Sequence, residues 1–174
     1  MSERVVVMGP SGSGKSTVGA ALAEALGARF VDGDDLHPLT NVEKMAAGIP
    51  LDDADRMPWL RVVGRTLAGE GRIVVACSAL RRRYRDAIRK EAPDATFAEL
   101  VLDRDTLARR LGGRADHFMP ATLMDSQLEA LEPLAPDERG IRVEASLSLA
   151  QEVAAIQHAL TAAAGTPGTP QSLR

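Results

Sequence analysis

Short apolar runs separated by polar, glycine-containing stretches pattern the chain, and their period changes from run to run. Arg4 to Met8 is continuous and β-branched at Val5, Val6 and Val7, which predicts a short strand buried on both faces. A Gly/Ser segment, Gly9 to Gly14, comes next. From Lys15 to Leu26 the apolar residues Val18, Ala21, Leu22 and Ala25 recur at helical spacing, and Gly27 supplies a stop. Ala28 to Val31 predicts a second strand, running into Asp32-Gly33-Asp34-Asp35.

The next stretch, to about Gly69, is irregular and then helical. Thr40-Asn41-Val42-Glu43 reads as a capping box for a short helix ending near Gly48, and Pro50 and Pro58 punctuate the residues beyond it. Arg72 to Cys77 predicts a third buried strand, and Ala79 to Glu91 an Arg-rich helix stopped before Pro93. Thr96 to Leu102 predicts a fourth strand. Helices are expected from Asp103 or Arg104 to Leu111 and from Pro120 to Leu131, with Ile141 to Glu144 as a weak fifth strand. Ser148 with Gln151 caps a final helix to about Ala163, and Gly165 to Arg174 reads as a disordered tail. Strands alternating with helices predict an α/β domain: a parallel sheet with helices on both faces and no internal repeat.

Composition narrows the class. A chain of 174 residues suits one compact domain, here 1–164. Lys and Arg number 21 against 24 Asp and Glu, so there is no basic surplus for a nucleic-acid backbone. Aromatics at 3% leave little for base stacking. A lone cysteine, Cys77, forms no internal disulfide, which fits a reducing, cytoplasmic setting, and it reads as buried filler. No run of 18 apolar residues predicts a membrane span, and the first residues do not read as a secretory leader.

The chemistry begins at Gly9-Pro10-Ser11-Gly12-Ser13-Gly14-Lys15-Ser16, which matches G-x-x-x-x-G-K-[ST] in full. Glycines let several N–H groups converge on one anion, and the next helix aims its positive dipole end at the same point. Lys15 adds a point charge for the β- and γ-phosphates; Ser16 is a candidate Mg²⁺ ligand and Thr17 a ligand of an α-phosphate oxygen. A random chain of this length matches the pattern roughly once in a few hundred, from average residue usage. The strand before and the helix after it are the context that turns the match into a nucleoside-triphosphate site.

The third strand ends in Cys77-Ser78 with no carboxylate, so the acids are sought at the end of strand two. Asp32 and Asp34 lie two apart and share a face in extended backbone, where strand ends converge on a ligand crevice. One of the two could hold magnesium's water shell while the other accepts a substrate hydroxyl proton; the competing reading is a turn with solvated acids. Asp103 reads as the N-cap of the next helix.

Four segments carry a family resemblance: GPSGSGKST, DGDDLHPLTNVEKMAAGIPLDDADRMPWL, CSALRRRYRDAIR and HFMPATLMDSQLEALEP, spanning Gly9 to Pro133. With these the chain resembles the gluconate kinases, small-molecule kinases related in fold to shikimate kinase. The C-terminal strand and helix match only loosely. The resemblance implies a P-loop kinase fold with five parallel strands and a mobile lid at about 109–119. It also implies phosphorylation of D-gluconate by ATP with Mg²⁺ to give 6-phospho-D-gluconate, and a homodimer.

Roles come with that resemblance. Lys15, Asp34 and Arg114 are the expected catalytic residues, Asp34 by orienting the accepting hydroxyl and Arg114 by countering transition-state charge from the lid, which leaves Asp32 with Ser16 for magnesium. Arg110 is assigned to phosphate or the adenine face, and Arg109 to a surface ion pair. For the substrate carboxylate, whose two oxygens suit a planar guanidinium, Arg56 is the first candidate and Arg81 the second. Arg56 alternatively pairs with Asp52 or Asp53. His37 is either a substrate ligand or a turn histidine, and Ser78, His117 and Gln127 are further substrate candidates. Trp59 and Met57 read as packing, and Arg82, Arg83 and Arg85 as a solvated face. A kinase for another anionic polyol such as shikimate, or a non-catalytic nucleotide switch, are the competing functions.

Overall fold

The computed structural model describes residues 3–112 and 121–164. Five parallel strands, β1 (Arg4–Met8), β2 (Arg29–Asp32), β3 (Ile73–Ala76), β4 (Thr96–Val101) and β5 (Gly140–Glu144), form one sheet in the order β2-β3-β1-β4-β5. Parallel strands need crossovers, and the helices α1 (Lys15–Leu26), α2 (Leu39–Ala46), α3 (Asp53–Leu67), α4 (Arg82–Glu91), α5 (Arg104–Gly112) and α6 (Ala121–Ala130) supply them, while α7 (Leu149–Ala164) follows β5 and packs with α1.

The alternation of side chains along β1 sets the layers. Val5 and Val7 face a core with Val18 and Leu22 of α1 and Val153 and Ile156 of α7. Val6 and Met8 face the opposite core, with Trp59, Leu60 and Val63 of α3 and Tyr84 and Ile88 of α4. All four of these β1 side chains are fully buried, as their continuous apolar run predicts. Leu107 and Leu111 of α5 pack with Met124 of α6 in a small third cluster.

β1 and α1 occupy the predicted bounds, and the other strands lie within a residue or two of theirs. Three expectations fail for physical reasons. No capping box forms at Thr40: α2 starts at Leu39 behind Pro38, without a side-chain cap. The box is instead Asp52 with Asp55, whose side chains bond each other's backbone N–H at 2.9 and 3.1 Å and open the 15-residue α3. The Arg-rich helix begins at Arg82, not Ala79, because Ala79 takes a left-handed turn at φ 44° and Arg81 is extended.

Arg85 is the third correction: it is fully buried, not solvated. Its guanidinium grips Glu138 twice at 2.8 Å, and its Nη1 donates to the carbonyls of Ala79 and Leu80. The left-handed turn at the end of β3 is thereby held by a buried ion pair. Arg82 and Arg83 are exposed and pair with Asp137 and Asp53, as a solvated face should. Ser148 and Gln151 exchange the expected capping bonds, and Asp103 caps α5 through Thr106 N–H at 2.7 Å.

Candidate active site

The C-terminal ends of β1, β2 and β3 lie level: Val7 and Asp32 each pair with Ala76. The segments that leave these three strands therefore meet at one edge of the sheet. After β1 comes the phosphate loop. Gly14, the N-cap residue of α1, has φ 90°, a left-handed conformation that a Cβ would strain. It turns the loop so that the first amides of α1, which have no intrahelical acceptor, face outward. Gly12, Gly14, Lys15, Ser16 and Thr17 line one concavity there.

Some of the loop's amides are already committed. Ser13 N–H donates to Pro10 C=O at 3.1 Å, and Ser11 N–H donates to Gln127 Oε1 at 2.7 Å. Gln127 Nε2 donates in turn to Ser11 Oγ at 3.2 Å, so this residue of α6 engages the phosphate loop. Arg110 donates to Ser13 C=O at 3.0 Å and also to Ala145 C=O beyond β5, which sets it beside Gly14. Gly9 N–H donates to Ser78 C=O at 3.3 Å, tying the loop to the end of β3. Arg109 bonds Thr106 Oγ1 of its own helix at 3.2 Å and acts electrostatically on the surface acid Asp103.

After β2 come the acids. Ser16 Oγ donates to Asp32 Oδ2 at 2.9 Å, bringing together the two residues singled out for magnesium. The other oxygen of Asp32 accepts from Asp34 N–H at 3.0 Å and starts a 3₁₀ turn over Gly33–Leu36. Asp34 is exposed. Gly33 is required by proximity: a Cβ there would stand 2.6 Å from Ala76 C=O. Lys15, Asp32 and Asp34 all act electrostatically on Cys77 at the end of β3. Burial raises that thiol to about 12, so it is inert filler as expected.

His37 stands just past the 3₁₀ turn. Burial lowers its pKa most, Asp34 opposes this and Arg56 adds to it, so Asp34, His37 and Arg56 share one neighbourhood. Trp59 is buried, as packing predicts, but it also stacks on His37 at 4.0 Å between centroids and donates Nε1–H to Gly33 C=O at 2.8 Å. Arg56 lies 3.4 Å from Tyr84 Oη and 3.9 Å from Asp53. Tyr84 Oη donates to Asp53 at 2.6 Å, which holds that carboxyl below its usual range. Arg81 sits 3.7 Å from Glu132. Arg114 and His117 lie outside the described residues, as do most of the lid span 109–119 and the tail 165–174.

Sequence reasoning misses Asn41, Tyr84 and the second use of Trp59. Asn41 is 2% exposed and bonds His37, a burial that its place in a polar stretch does not signal. Tyr84 comes after three arginines and is buried against two cations, Arg56 and Arg83, which stand over its ring.

Comparison with known proteins agrees with this geometry. A family model described as an AAA domain matches residues 5–134. The chain is 49% identical over 144 residues to the gluconokinase of Gluconobacter oxydans (strain 621H), covering 80% of each chain. It is 45% identical over 144 residues to the thermosensitive gluconokinase of Escherichia coli (strain K12), covering 80% of this chain and 76% of that one. The crystal structure of a gluconokinase from Sinorhizobium meliloti 1021 superposes with a TM-score of 0.86 at 46% identity, over 93% of both chains. By fold, by site and by these likenesses, the chain belongs to the gluconokinase family of P-loop kinases.

Proposed function

We propose that this protein transfers the γ-phosphoryl group of ATP to the 6-hydroxyl of D-gluconate, giving 6-phospho-D-gluconate and ADP. The observation that carries the reading is the Ser16–Asp32 contact at 2.9 Å, which joins the phosphate loop to the turn bearing Asp34 and His37. A triphosphate on the loop then has its last phosphorus facing the side chains that suit a polyol acid.

Each role has its chemistry. Amides of the loop and Lys15 hold the β- and γ-phosphates and counter the charge spread over the moving phosphoryl group. Arg110 and Thr17 add contacts to the nucleotide. Ser16 and Asp32 present hard oxygens at the lip of the concavity, a donor set that fits Mg²⁺, which takes one or two protein ligands besides water and phosphate. Bound there, the ion neutralises phosphate charge. Asp34 orients the accepting hydroxyl and takes its proton as the new O–P bond forms and the bond to ADP breaks. Strong basicity is not needed, because the transition state is loose.

Arg56 binds the gluconate carboxylate, with Arg81 as the second cation; His37 and Ser78 bind hydroxyls. Gln127, a substrate candidate from the sequence, is better read as a support of the phosphate loop, given its bonds to Ser11. Arg114 and His117 complete the proposal from the lid, whose closure keeps water from the phosphoryl group. A cytoplasmic location and a homodimer belong to it on the strength of the family.

The test is ADP formation by the purified protein with ATP and Mg²⁺, alone and with gluconate, shikimate and a panel of other sugar acids. Turnover should require an acceptor and favour gluconate. Hydrolysis as fast without acceptor as with it, or no turnover at all, overturns the reading and favours a nucleotide switch. Preference for shikimate would favour the related polyol kinase.

A further inference from the structure

We propose that Asn41 is a positioning residue that fixes His37 as the Nε2–H tautomer, so that the ring offers the sugar acid a hydrogen-bond donor and not a lone pair. The inference rests on reading Asp34, His37 and Arg56 as the acceptor site. It deepens that reading by assigning the sense of one hydrogen bond.

A backbone carbonyl sets the orientation of Asn41. This residue is 2% exposed on α2, and its side-chain amide lies 3.1 Å from the carbonyl of Asp55 in α3. A carbonyl only accepts, so the NH₂ end of Asn41 faces it; the reverse orientation would set two oxygens together. The same nitrogen lies 3.1 Å from His37 Nδ1. It has a second hydrogen to give, and Nδ1 must accept it. An accepting ring nitrogen carries no proton, so in the neutral imidazole the proton sits on Nε2.

Two further observations hold the ring in that state. Protonating Nδ1 would set N–H against NH₂, and burial together with the Arg56 charge also works against the cation, with Asp34 alone opposing them. The Trp59 indole lies within 17° of the imidazole plane and is itself anchored to Gly33 C=O, so the ring has a fixed plane. His37 stays partly exposed, which leaves it accessible to a ligand. Asp34 accepts from substrate hydroxyls, and His37 supplies the complementary donor to a hydroxyl or carboxylate oxygen. The site thus reads both senses of the polyol's hydrogen-bond network.

The test begins without substrate. In ¹⁵N-labelled protein near neutral pH, a long-range ¹H–¹⁵N correlation should show His37 protonated at Nε2 and bare at Nδ1. The signal is assigned by its loss in His37→Gln. In Asn41→Asp the carboxylate accepts from Nδ1 and should move the proton there; the variant is read at a pH where its spectrum shows Nε2 bare, since an imidazolium would keep the Nε2–H donor. The KM for gluconate should then rise about tenfold, the worth of one hydrogen bond, while the KM for ATP stays within about twofold. His37→Gln, which keeps an N–H donor, should retain more activity than His37→Leu. A wild-type proton on Nδ1, a moved proton with unchanged gluconate KM, or equal loss in the Gln and Leu variants each overturns the proposal. Should Asn41→Asp not fold, the wild-type spectrum and the two His37 variants decide. Should another sugar acid prove the substrate, the spectrum still reads the tautomer and the KM arm is run on that acid, so the two failures are separable.

Discussion

Gln127 grips Ser11 at both ends of its amide: Oε1 accepts from the backbone N–H at 2.7 Å, and Nε2 donates to the hydroxyl at 3.2 Å. The helix that carries it, α6, starts at Ala121, just beyond the expected lid. The phosphate loop is therefore braced by α6, the helix that follows the expected lid span. Gln127→Ala removes two hydrogen bonds, about 1–2 kcal/mol together. The KM for ATP should rise roughly tenfold with a smaller change in the KM for gluconate. Steady-state kinetics with each substrate varied checks this, and an unchanged ATP KM would show the brace to be idle.

Lys15 lines the same concavity as the free amides of α1. Its charge matters most when the phosphoryl group carries its greatest spread of negative charge. Lys15→Ala should lower kcat by about 10²–10³, the usual cost of one preorganised electrostatic contact. Calorimetry should still detect ATP, more weakly, because the amides remain. A kcat within a factor of a few of the parent would place the phosphate elsewhere.

Arg56 is held by Tyr84 Oη at 3.4 Å and by Asp53 at 3.9 Å, with its guanidinium carbon 5.7 Å from the centre of the Tyr84 ring. Arg56→Ala should raise the KM for gluconate roughly 10–100-fold, from a charged hydrogen bond worth about 1.5–3 kcal/mol, and leave the ATP KM nearly unchanged. Tyr84→Phe keeps the ring and loses the hydroxyl that steadies Arg56 and Asp53, so its effect should have the same direction and be smaller. Arg81→Ala, measured beside them, tests the second cation; a larger effect there than at Arg56 would exchange the two roles.

Legibility in the sequence tracks the range of the interactions. β1, the phosphate loop and α1 are readable because each is signalled within a few residues: three valines, a glycine pattern, a helical period and Gly27. The pairing of Ser16 with Asp32 comes from where parallel strands end. Arg85 misleads because its partner, Glu138, lies 53 residues away, and an arginine among arginines looks solvated. The start of α3 is hidden by Pro58, a helix breaker by reputation, although Asp52 and Asp55 carry a local capping signal. Asn41 is buried between His37 and the Asp55 carbonyl of α3, a contact that no local period announces.

The buried partner of Arg85 contributes to the acid sensitivity of the fold. Burial alone would raise Glu138, but hydrogen bonds from Arg85, the Ala135 amide and Arg89 outweigh it and hold the carboxyl at about 2 against an ordinary 4.5. A depressed carboxylate binds its proton in the unfolded chain first. The stability it contributes is therefore complete above about pH 4.5 and is lost progressively as the pH falls toward about 2. Glu138→Gln should cost roughly 3 kcal/mol at pH 7, because it leaves Arg85 buried without its counter-charge. It should also flatten the dependence of stability on pH between 4.5 and 2. The same variant loosens the hold on the left-handed turn at Ala79, between Ser78 and Arg81, so the KM for gluconate should rise even where the protein remains folded. Urea midpoints from pH 7 to pH 3 for parent and variant, with gluconate KM measured at pH 7, check both arms. A variant as stable as the parent, or one with the same acid sensitivity, would show that the Arg85–Glu138 pair holds neither the fold nor the turn.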